Sequence, residues 1–150
     1  MSAQPVVVPP SDRPQALKVV GEGITVLADG ATTGSYEIFH QAGPEGSGPP
    51  PHNHPWDEAF YVLAGQVIFG VDGDDNLLAP PGTLVHIPGG STHWFRFGPG
   101  GGQMISVTSG AGAAEFFTEI DREVSPTDPD FGVVLRVASS HGLTVPPPAN

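Results

Sequence analysis

The sequence contains no cysteine, and it has only five lysine and arginine residues against sixteen acidic ones. The lack of cysteine excludes a disulfide framework, a thiolate metal site and a cysteine nucleophile. The formal net charge of -11 argues against nucleic acids and anionic membranes as partners. The basic residues are also unevenly placed, because none lies between Lys18 and Arg96. Any chemistry in that stretch must work without a cationic side chain.

Long apolar runs are also missing. No run approaches the roughly 18 residues of a membrane-spanning helix. The N-terminal segment has no basic region ahead of its short apolar stretch at residues 6–8, which is followed by two prolines. A signal peptide is therefore not expected, and the sequence predicts a cytoplasmic protein. The chain has 150 residues, 38% of them hydrophobic, which suits one domain with one core.

Glycine and proline, in contrast, are abundant: 21 glycines and 18 prolines. Such a content is typical either of disorder or of a fold with many tight turns. Seven short runs with strand-like composition favour the second explanation, at residues 24–28, 35–40, 58–64, 66–72, 83–87, 92–97 and 103–108. Short strands separated by turn residues predict an all-β sandwich or barrel.

The composition divides the chain into four parts. We predict an extended N-terminal arm over residues 1–16, a barrel over 17–110, a helical extension over 111–143 and a tail over 144–150. Residues 113–121 are rich in helix formers and place apolar side chains at helical spacing. Residues 131–140 suit either a short helix or a strand, and the sequence leaves this open.

Four residues form a candidate metal site: His52, His54, Glu58 and His93. In an extended strand, His52 and His54 point to the same face, and Glu58 shares that face if the chain stays extended. Three imidazoles and one carboxylate make a mixed nitrogen and oxygen site. Such a site suits divalent iron, manganese, nickel, cobalt or zinc and leaves coordination positions open.

The same residues lie in two motifs that resemble the signatures of the cupin superfamily. The first motif, G-x5-H-x-H-x3,4-E-x6-G, is matched by Gly46, His52, His54, Glu58 and Gly65. The second, G-x5-P-x-G-x2-H-x3-N, is matched by Gly82, Pro88, Gly90 and His93. The second motif departs from the family at its last position, where Phe97 replaces the asparagine. That position is not a metal ligand in the family, so the resemblance leaves the metal site intact.

The resemblance implies a double-stranded β-helix, or jelly roll, with a short C-terminal helical segment. It implies that His52, His54, Glu58 and His93 bind a divalent transition metal, and that two copies pair through their N-terminal arms as a homodimer. Residues 48–54 and 57–63 are further similar to small single-domain bacterial cupins described as quercetin dioxygenase-like. In such enzymes Glu58 would be either a metal ligand or the catalytic base.

Other side chains are assigned from their position along the predicted strands. Phe60, Val62, Phe95 and Phe97 share the parity of Glu58 and His93, so we predict that they face a substrate cavity. Trp56 and Trp94 are assigned to packing or to a dimer interface. His40 and His86 lie on predicted strands, where they either are structural or support the metal ligands.

These observations lead to one leading function and two alternatives. The leading function is a metal-dependent dioxygenase-type enzyme that acts on a small apolar enol or phenol. We expect its partner to be a small-molecule ligand, and we expect it to bind neither nucleic acid nor membrane. The alternatives are a non-catalytic cupin that binds a small molecule or a metal as a sensor or store, and a metal-assisted isomerase or lyase.

Overall fold

A computed structural model gives the fold and describes residues 3–147. Within that range the strands are β1 (Leu17–Val19), β2 (Glu22–Ala28), β3 (Tyr36–Gly43), β4 (Glu58–Val71), β5 (Asp74–Ala79), β6 (Leu84–Ile87) and β7 (His93–Ser109). The α-helices are α1 (Gly30–Thr33), α2 (Ala113–Glu123) and α3 (Phe131–Ser140), and a 3-10 turn spans Pro10–Asp12. The predicted all-β fold with a short C-terminal helical segment is confirmed.

The strands form one antiparallel sheet that curls around the core. Its order is β1-β2-β3-β7-β4-β5, and β6 pairs with the first part of β4. The long strands β4 and β7 pair along most of their length, from Glu58 opposite Thr108 to Val71 opposite His93. A bridge between His52 and His93 adds the segment before β4 to the other edge of β7. This bridge brings the two candidate motifs side by side.

The two long strands correct the predicted boundaries. Residues 58–64 and 66–71 belong to the single strand β4, which ends one residue before the predicted run does. Residues 92–97 and 103–108 lie within β7 apart from residue 92. Gly65, with φ 69°, bends β4, and the inward face changes from even to odd positions there. Opposite this bend, residues 98–101 form a bulge in β7. Glycines that would end a strand in a simple turn therefore let a long strand curve around the core.

The barrel core is aromatic. Phe60, Phe69, Phe95 and Phe97 are all nearly inaccessible to solvent, and their rings contact one another at centroid distances between 5.3 and 6.0 Å. Burial of each such ring contributes on the order of 2 kcal/mol. This cluster, with Val62, Val67 and Met104, fills one end of the barrel.

The helices α2 and α3 cover the other end. Residues 131–140, which suit a helix or a strand by sequence, are helical, and the Asp130 side chain accepts hydrogen bonds from the backbone N–H groups of Gly132 and Val133. Such an N-cap stabilises a helix by about 1 kcal/mol. The helices pack together through Phe116, Ile120, Val124, Val137, Ala138 and Leu143.

A buried carboxylate attaches α2 to the barrel. Glu37 on β3 is 1% exposed and accepts hydrogen bonds from the backbone N–H groups of Gly30 and Ala114, each at 2.9 Å. In Glu37→Gln, the side-chain NH2 group of the glutamine would face one of these two backbone N–H groups, and two donors cannot form a hydrogen bond. We expect this variant to lower the free energy of unfolding by about 2–3 kcal/mol in urea titrations. Glu115→Gln on the exposed face of α2 is the control, with an expected loss below about 1 kcal/mol, and equal losses would contradict this role of Glu37.

The N-terminal arm lies on the outside of the molecule. Residues 3–16 are exposed and contain no regular element except the 3-10 turn. Within residues 3–147, no helix is both long and apolar enough to cross a membrane. The homodimer that would cover the arm, and the cytoplasmic location, stay predictions.

Candidate metal centre

The three histidines converge at the end of the barrel that α2 and α3 cover. His52 and His54 precede β4, Glu58 begins β4 and His93 begins β7. One ligand nitrogen from each histidine lies within 4.8 Å of the others. The Glu58 carboxylate oxygen Oε2 lies 2.9 Å from His54 Nε2 and 3.5 Å from His93 Nε2. The structure thus brings together all four residues that the motifs single out.

Backbone carbonyl groups orient all three rings. The Nδ1–H groups of His52, His54 and His93 donate to the carbonyl oxygens of Pro50, Trp56 and Ser91, at 2.9, 3.0 and 2.9 Å. A carbonyl oxygen can only accept, so Nδ1 carries the hydrogen in each ring. In a neutral imidazole with this tautomer the lone pair is on Nε2, the atom that could bind a metal. Such hydrogen bonds fix the tautomer and orientation of metal-binding histidines in proteins.

The segment that carries His52 and His54 is held along both edges. His52 exchanges two backbone hydrogen bonds with His93, at 3.0 and 2.9 Å. Asn53 exchanges two with Thr144, both at 2.9 Å. This pairing fixes Thr144 at the start of the predicted tail. Residues 148–150 of the predicted tail lie outside the described residues.

Burial and mutual contacts shift the pKa values at this site. Burial alone would raise the pKa of Glu58, but the hydrogen bond with His54 and the nearby His93 ring outweigh it and lower the pKa to about 2. Burial also opposes the charged form of His93, yet the contact with Glu58 outweighs it and raises the pKa of His93. Burial, with the nearby His93, lowers the pKa of His52 to about 4. Without a metal, Glu58 is thus ionised and His52 is neutral at pH 7.

The donor set fits a divalent transition metal. His93 Nε2 is buried and has no hydrogen-bond partner among the described residues. Three imidazole nitrogens and one carboxylate oxygen are the ligands that iron, manganese, nickel, cobalt and zinc accept. A divalent ion bound here would satisfy this unpaired nitrogen. The chemistry of the residues does not distinguish among these five metals.

A cavity of about 130 Å³ opens from this cluster towards the helices. Its walls are largely apolar, with Ile24, Phe60 and Phe95 from the barrel and Phe116, Phe117, Ile120, Val134, Leu135 and Ala138 from α2 and α3. Among the described residues, no lysine or arginine lines it. The cavity therefore offers a metal centre at one end and an apolar environment elsewhere, which is typical of a site for a small organic ligand.

The four residues predicted to bind substrate separate into two pairs. Phe60 and Phe95 line the cavity, whereas Val62 and Phe97 do not and instead lie in the closed aromatic core. All four point inward, but Val62 and Phe97 lie two residues further along their strands from the metal-site residues Glu58 and His93, where side chains fill the barrel. Parity along a strand therefore identifies the inward face but not the depth of the cavity.

The remaining predicted candidates lie away from the metal centre. His40 contacts Gln103 at 3.3 Å, and His86 is exposed on β6; neither lines the cavity. Trp94 donates to Asp75 at 3.1 Å and lies against Arg96 on the outside. The structure therefore places both His40 and His86 apart from the cavity and its histidine cluster.

Several cavity residues were not assigned to the site by sequence, and three of them are Trp56, Glu22 and Gln41. Trp56 stacks on His54, with ring centroids 4.5 Å apart and planes 10° apart, and also lines the cavity. Glu22 and Gln41 line it as well. The spacing of Trp56 from His54 is a local signal for this contact, since both lie in the loop before β4. Glu22 and Gln41 lie on strands far along the chain from the motifs, and no local pattern marks them.

A strained turn forms part of the cavity wall. Val20, with φ 44°, and Gly21, with φ 93°, join β1 to β2, and Val20 lines the cavity. A β-branched residue in this conformation costs about 1–3 kcal/mol. Val20→Asn creates the Asn-Gly pair that such turns prefer, and we expect it to raise the free energy of unfolding by about 1 kcal/mol in urea titrations. Val19→Asn, within β1, is the control expected to lower it; a loss of stability in both would contradict the strain at Val20.

Part of the chain matches a known protein family. Residues 39–108 match the cupin domain family. Over 83 residues, which are 55% of this chain, the sequence is 31% identical to quercetin 2,3-dioxygenase from Bacillus subtilis (strain 168). The aligned part spans 24% of that dioxygenase, or about a quarter of its length.

Two solved structures show the same fold. An RmlC-like cupin from Shewanella frigidimarina superposes with a TM-score of 0.66 at 18% identity, covering 77% of this chain and 99% of that one. The polyketide cyclase RemF from Streptomyces resistomycificus superposes with a TM-score of 0.61 at 21% identity, covering 71% and 80%. At these identities the likeness concerns the fold, and it confirms the jelly roll that the motifs imply. The match over residues 39–108 and the shared fold together support a protein of the cupin superfamily.

Proposed function

We propose that this protein is a metal-dependent oxygenase that acts on a small, largely apolar enol or phenol. The observation that carries the proposal is the placement of three Nε2 atoms and the Glu58 carboxylate at one end of an apolar cavity. The local similarity to quercetin 2,3-dioxygenase supports the reaction class, over about a quarter of that enzyme.

Charge at the site favours an enolate or phenolate oxygen. Three neutral imidazoles and one carboxylate around a divalent ion leave a net charge of about +1. A substrate oxygen that has lost its proton would neutralise this charge. A second anionic group, such as a phosphate or another carboxylate, would meet no lysine or arginine among the described cavity residues. Singly ionised substrates with an apolar body therefore fit best.

The residues of the chain would divide the work. His52, His54 and His93 would hold the ion through Nε2, and such an ion acidifies a coordinated hydroxyl and, if redox-active, permits reaction with dioxygen. Glu58 Oε2, kept ionised by its histidine neighbours, would accept the hydroxyl proton of the substrate. Phe60, Phe95 and the helices α2 and α3 would hold the apolar body of the substrate and exclude water from the reacting groups.

Anaerobic reconstitution tests the proposal. Purified protein is loaded with Fe(II), Mn(II), Ni(II) or Co(II), and oxygen uptake is followed after addition of a flavonol or a catechol. We expect uptake with at least one metal, in step with substrate loss. The absence of uptake with every metal would overturn the proposal. Product formation without oxygen would favour the isomerase or lyase alternative, and tight binding without turnover would favour a sensor or store.

A further inference from the structure

Two polar side chains face the cavity from strands that carry no metal ligand. Glu22 on β2 is 7% exposed and Gln41 on β3 is 2% exposed, and both line the cavity. Ile24 pairs with Gln41 and lies two residues after Glu22, so Glu22 and Gln41 are diagonal neighbours on the inward face of the β2–β3 pair. They form a second polar region in a cavity whose other walls are apolar. We call this pair the β2–β3 polar patch.

Each residue of the patch presents an oxygen atom that nothing in the described chain satisfies. Glu22 Oε1 and Gln41 Oε1 are buried and have no hydrogen-bond partner there. The amide nitrogen of Gln41 already donates to Ser106 Oγ at 2.8 Å, so the amide is oriented and its oxygen remains an acceptor. An unsatisfied buried polar group costs about 1–3 kcal/mol. Two such groups on one cavity wall indicate a partner that comes from outside the chain.

We propose that the β2–β3 polar patch binds a second hydroxyl group of the substrate, apart from the oxygen held at the histidines. The inference rests on the proposed function, because it takes the first substrate oxygen to lie at the metal centre. It narrows the substrate class to small aromatic or enolic compounds with two oxygen functions. The group at the patch is a neutral hydroxyl that donates a hydrogen bond.

The hydrogen-bonding capacity of the patch favours a hydroxyl over charged groups. Burial, and then the charge on Glu58, raises the pKa of Glu22 well above its ordinary value, which favours the protonated carboxyl group. In that form the group donates as well as accepts. Gln41 Oε1 requires a donor. A hydroxyl group can donate to Gln41 and accept from Glu22, whereas a carboxylate or phosphate cannot donate. An ammonium group can donate but cannot accept.

A binding experiment with a matched pair of probes tests the patch independently of turnover. The protein is loaded with Zn(II) under anaerobic conditions and titrated by calorimetry with hydroquinone and with 4-methylphenol. The two probes have similar shape, but a methyl group replaces the second hydroxyl. We expect wild-type protein to bind hydroquinone about tenfold more tightly, which corresponds to about 1.4 kcal/mol.

Variants of the patch distinguish recognition from a structural role. In Glu22→Leu we expect the preference for hydroquinone to fall to about twofold or less, while thermal stability is kept or raised because an unpaired buried carboxyl is removed. Gln41→Met removes the other acceptor and gives the same readout if Glu22→Leu does not fold. Glu115→Leu on the exposed face of α2 is the matched control, and it keeps the wild-type preference.

The outcomes separate this inference from the proposed function. Wild-type protein that binds zinc but does not prefer hydroquinone overturns the patch and leaves the metal centre standing. A patch variant that folds and keeps the full preference also overturns it. Wild-type protein that binds neither zinc nor any of iron, manganese, nickel and cobalt overturns the proposed function, and this inference with it.

Discussion

Replacing His93 with alanine is expected to lower the affinity for a divalent metal by at least about a hundredfold. Loss of a group that merely supports a ligand costs about 10- to 100-fold in other metal sites, and His93 would be a ligand itself. It is 1% exposed, its ring lies 4.3 Å from that of His52, and its Nε2 lies 3.5 Å from the Glu58 carboxylate. The variant therefore removes one nitrogen ligand of the metal. Because the position is buried, no mobile side chain can take its place.

Two measurements check this result. Metal content after dialysis reports the affinity directly, and the rise in melting temperature on adding Co(II) or Zn(II) reports it through linkage. The chain offers a matched control in His86→Ala, since His86 is exposed on β6 and away from the cavity. We expect this control to bind metal like wild type. Equal binding by His93→Ala and wild type would place the metal somewhere other than the histidine cluster.

The four residues of the candidate metal centre could be brought together from the sequence because their positions depend on local geometry. The spacing of His52, His54 and Glu58 sets their common face, and the second motif locates His93 on the neighbouring strand. Short-range patterns of this kind survive folding, since strand periodicity decides which way each side chain points. The cavity above the metal centre was harder to predict, because it depends on how far the helices reach.

Glu22 and Gln41 show what short-range patterns miss. By sequence, Glu22 resembles an ordinary surface acid at the start of a strand. It is nevertheless only 7% exposed, because β1, β2 and the helices α2 and α3 close around it. Its burial follows from contacts between parts of the chain about 100 residues apart, such as Val20 with the α2–α3 cluster. No window along the sequence contains those contacts.

The boundaries of β4 and β7 show a second limit. Gly65 and residues 98–102 have the composition of turns, and the structure places them inside continuous strands. The same glycine can reverse a chain or bend a strand, since both require a backbone that other residues avoid. Pairing with the neighbouring strand decides between the two, and this pairing is a property of the whole sheet.

The first motif is also a poor guide to which glycine the structure requires. Its leading glycine is Gly46. An added Cβ at Gly46 would meet no atom within 4 Å, and its φ of 82° is the only constraint there. Two residues later, Gly48 has φ 146°, and an added Cβ would lie 2.0 Å from the carbonyl oxygen of Phe95. The tighter constraint therefore falls on a glycine that the motif does not name.

Gly48→Ala is accordingly expected to damage both stability and the metal centre. Contacts below 3.0 Å with backbone atoms must be relieved by movement, either of the segment that leads to His52 or of β7 near His93. Overpacking and backbone strain each cost about 1–3 kcal/mol. We expect the free energy of unfolding to fall by about 3 kcal/mol or more, and the metal affinity of the folded protein to fall at least about tenfold, because ligand geometry changes with the shift.

Gly46→Ala provides the control for this last prediction. It introduces the same methyl group two residues away, in a left-handed conformation but in open space. We expect it to cost about 1–2 kcal/mol and to leave metal affinity within about twofold of wild type. Urea titration and metal titration of both variants decide the matter. Comparable losses in the two variants would mean that the close approach of Gly48 to Phe95 does not position the ligands, and that strain at either glycine has the same effect.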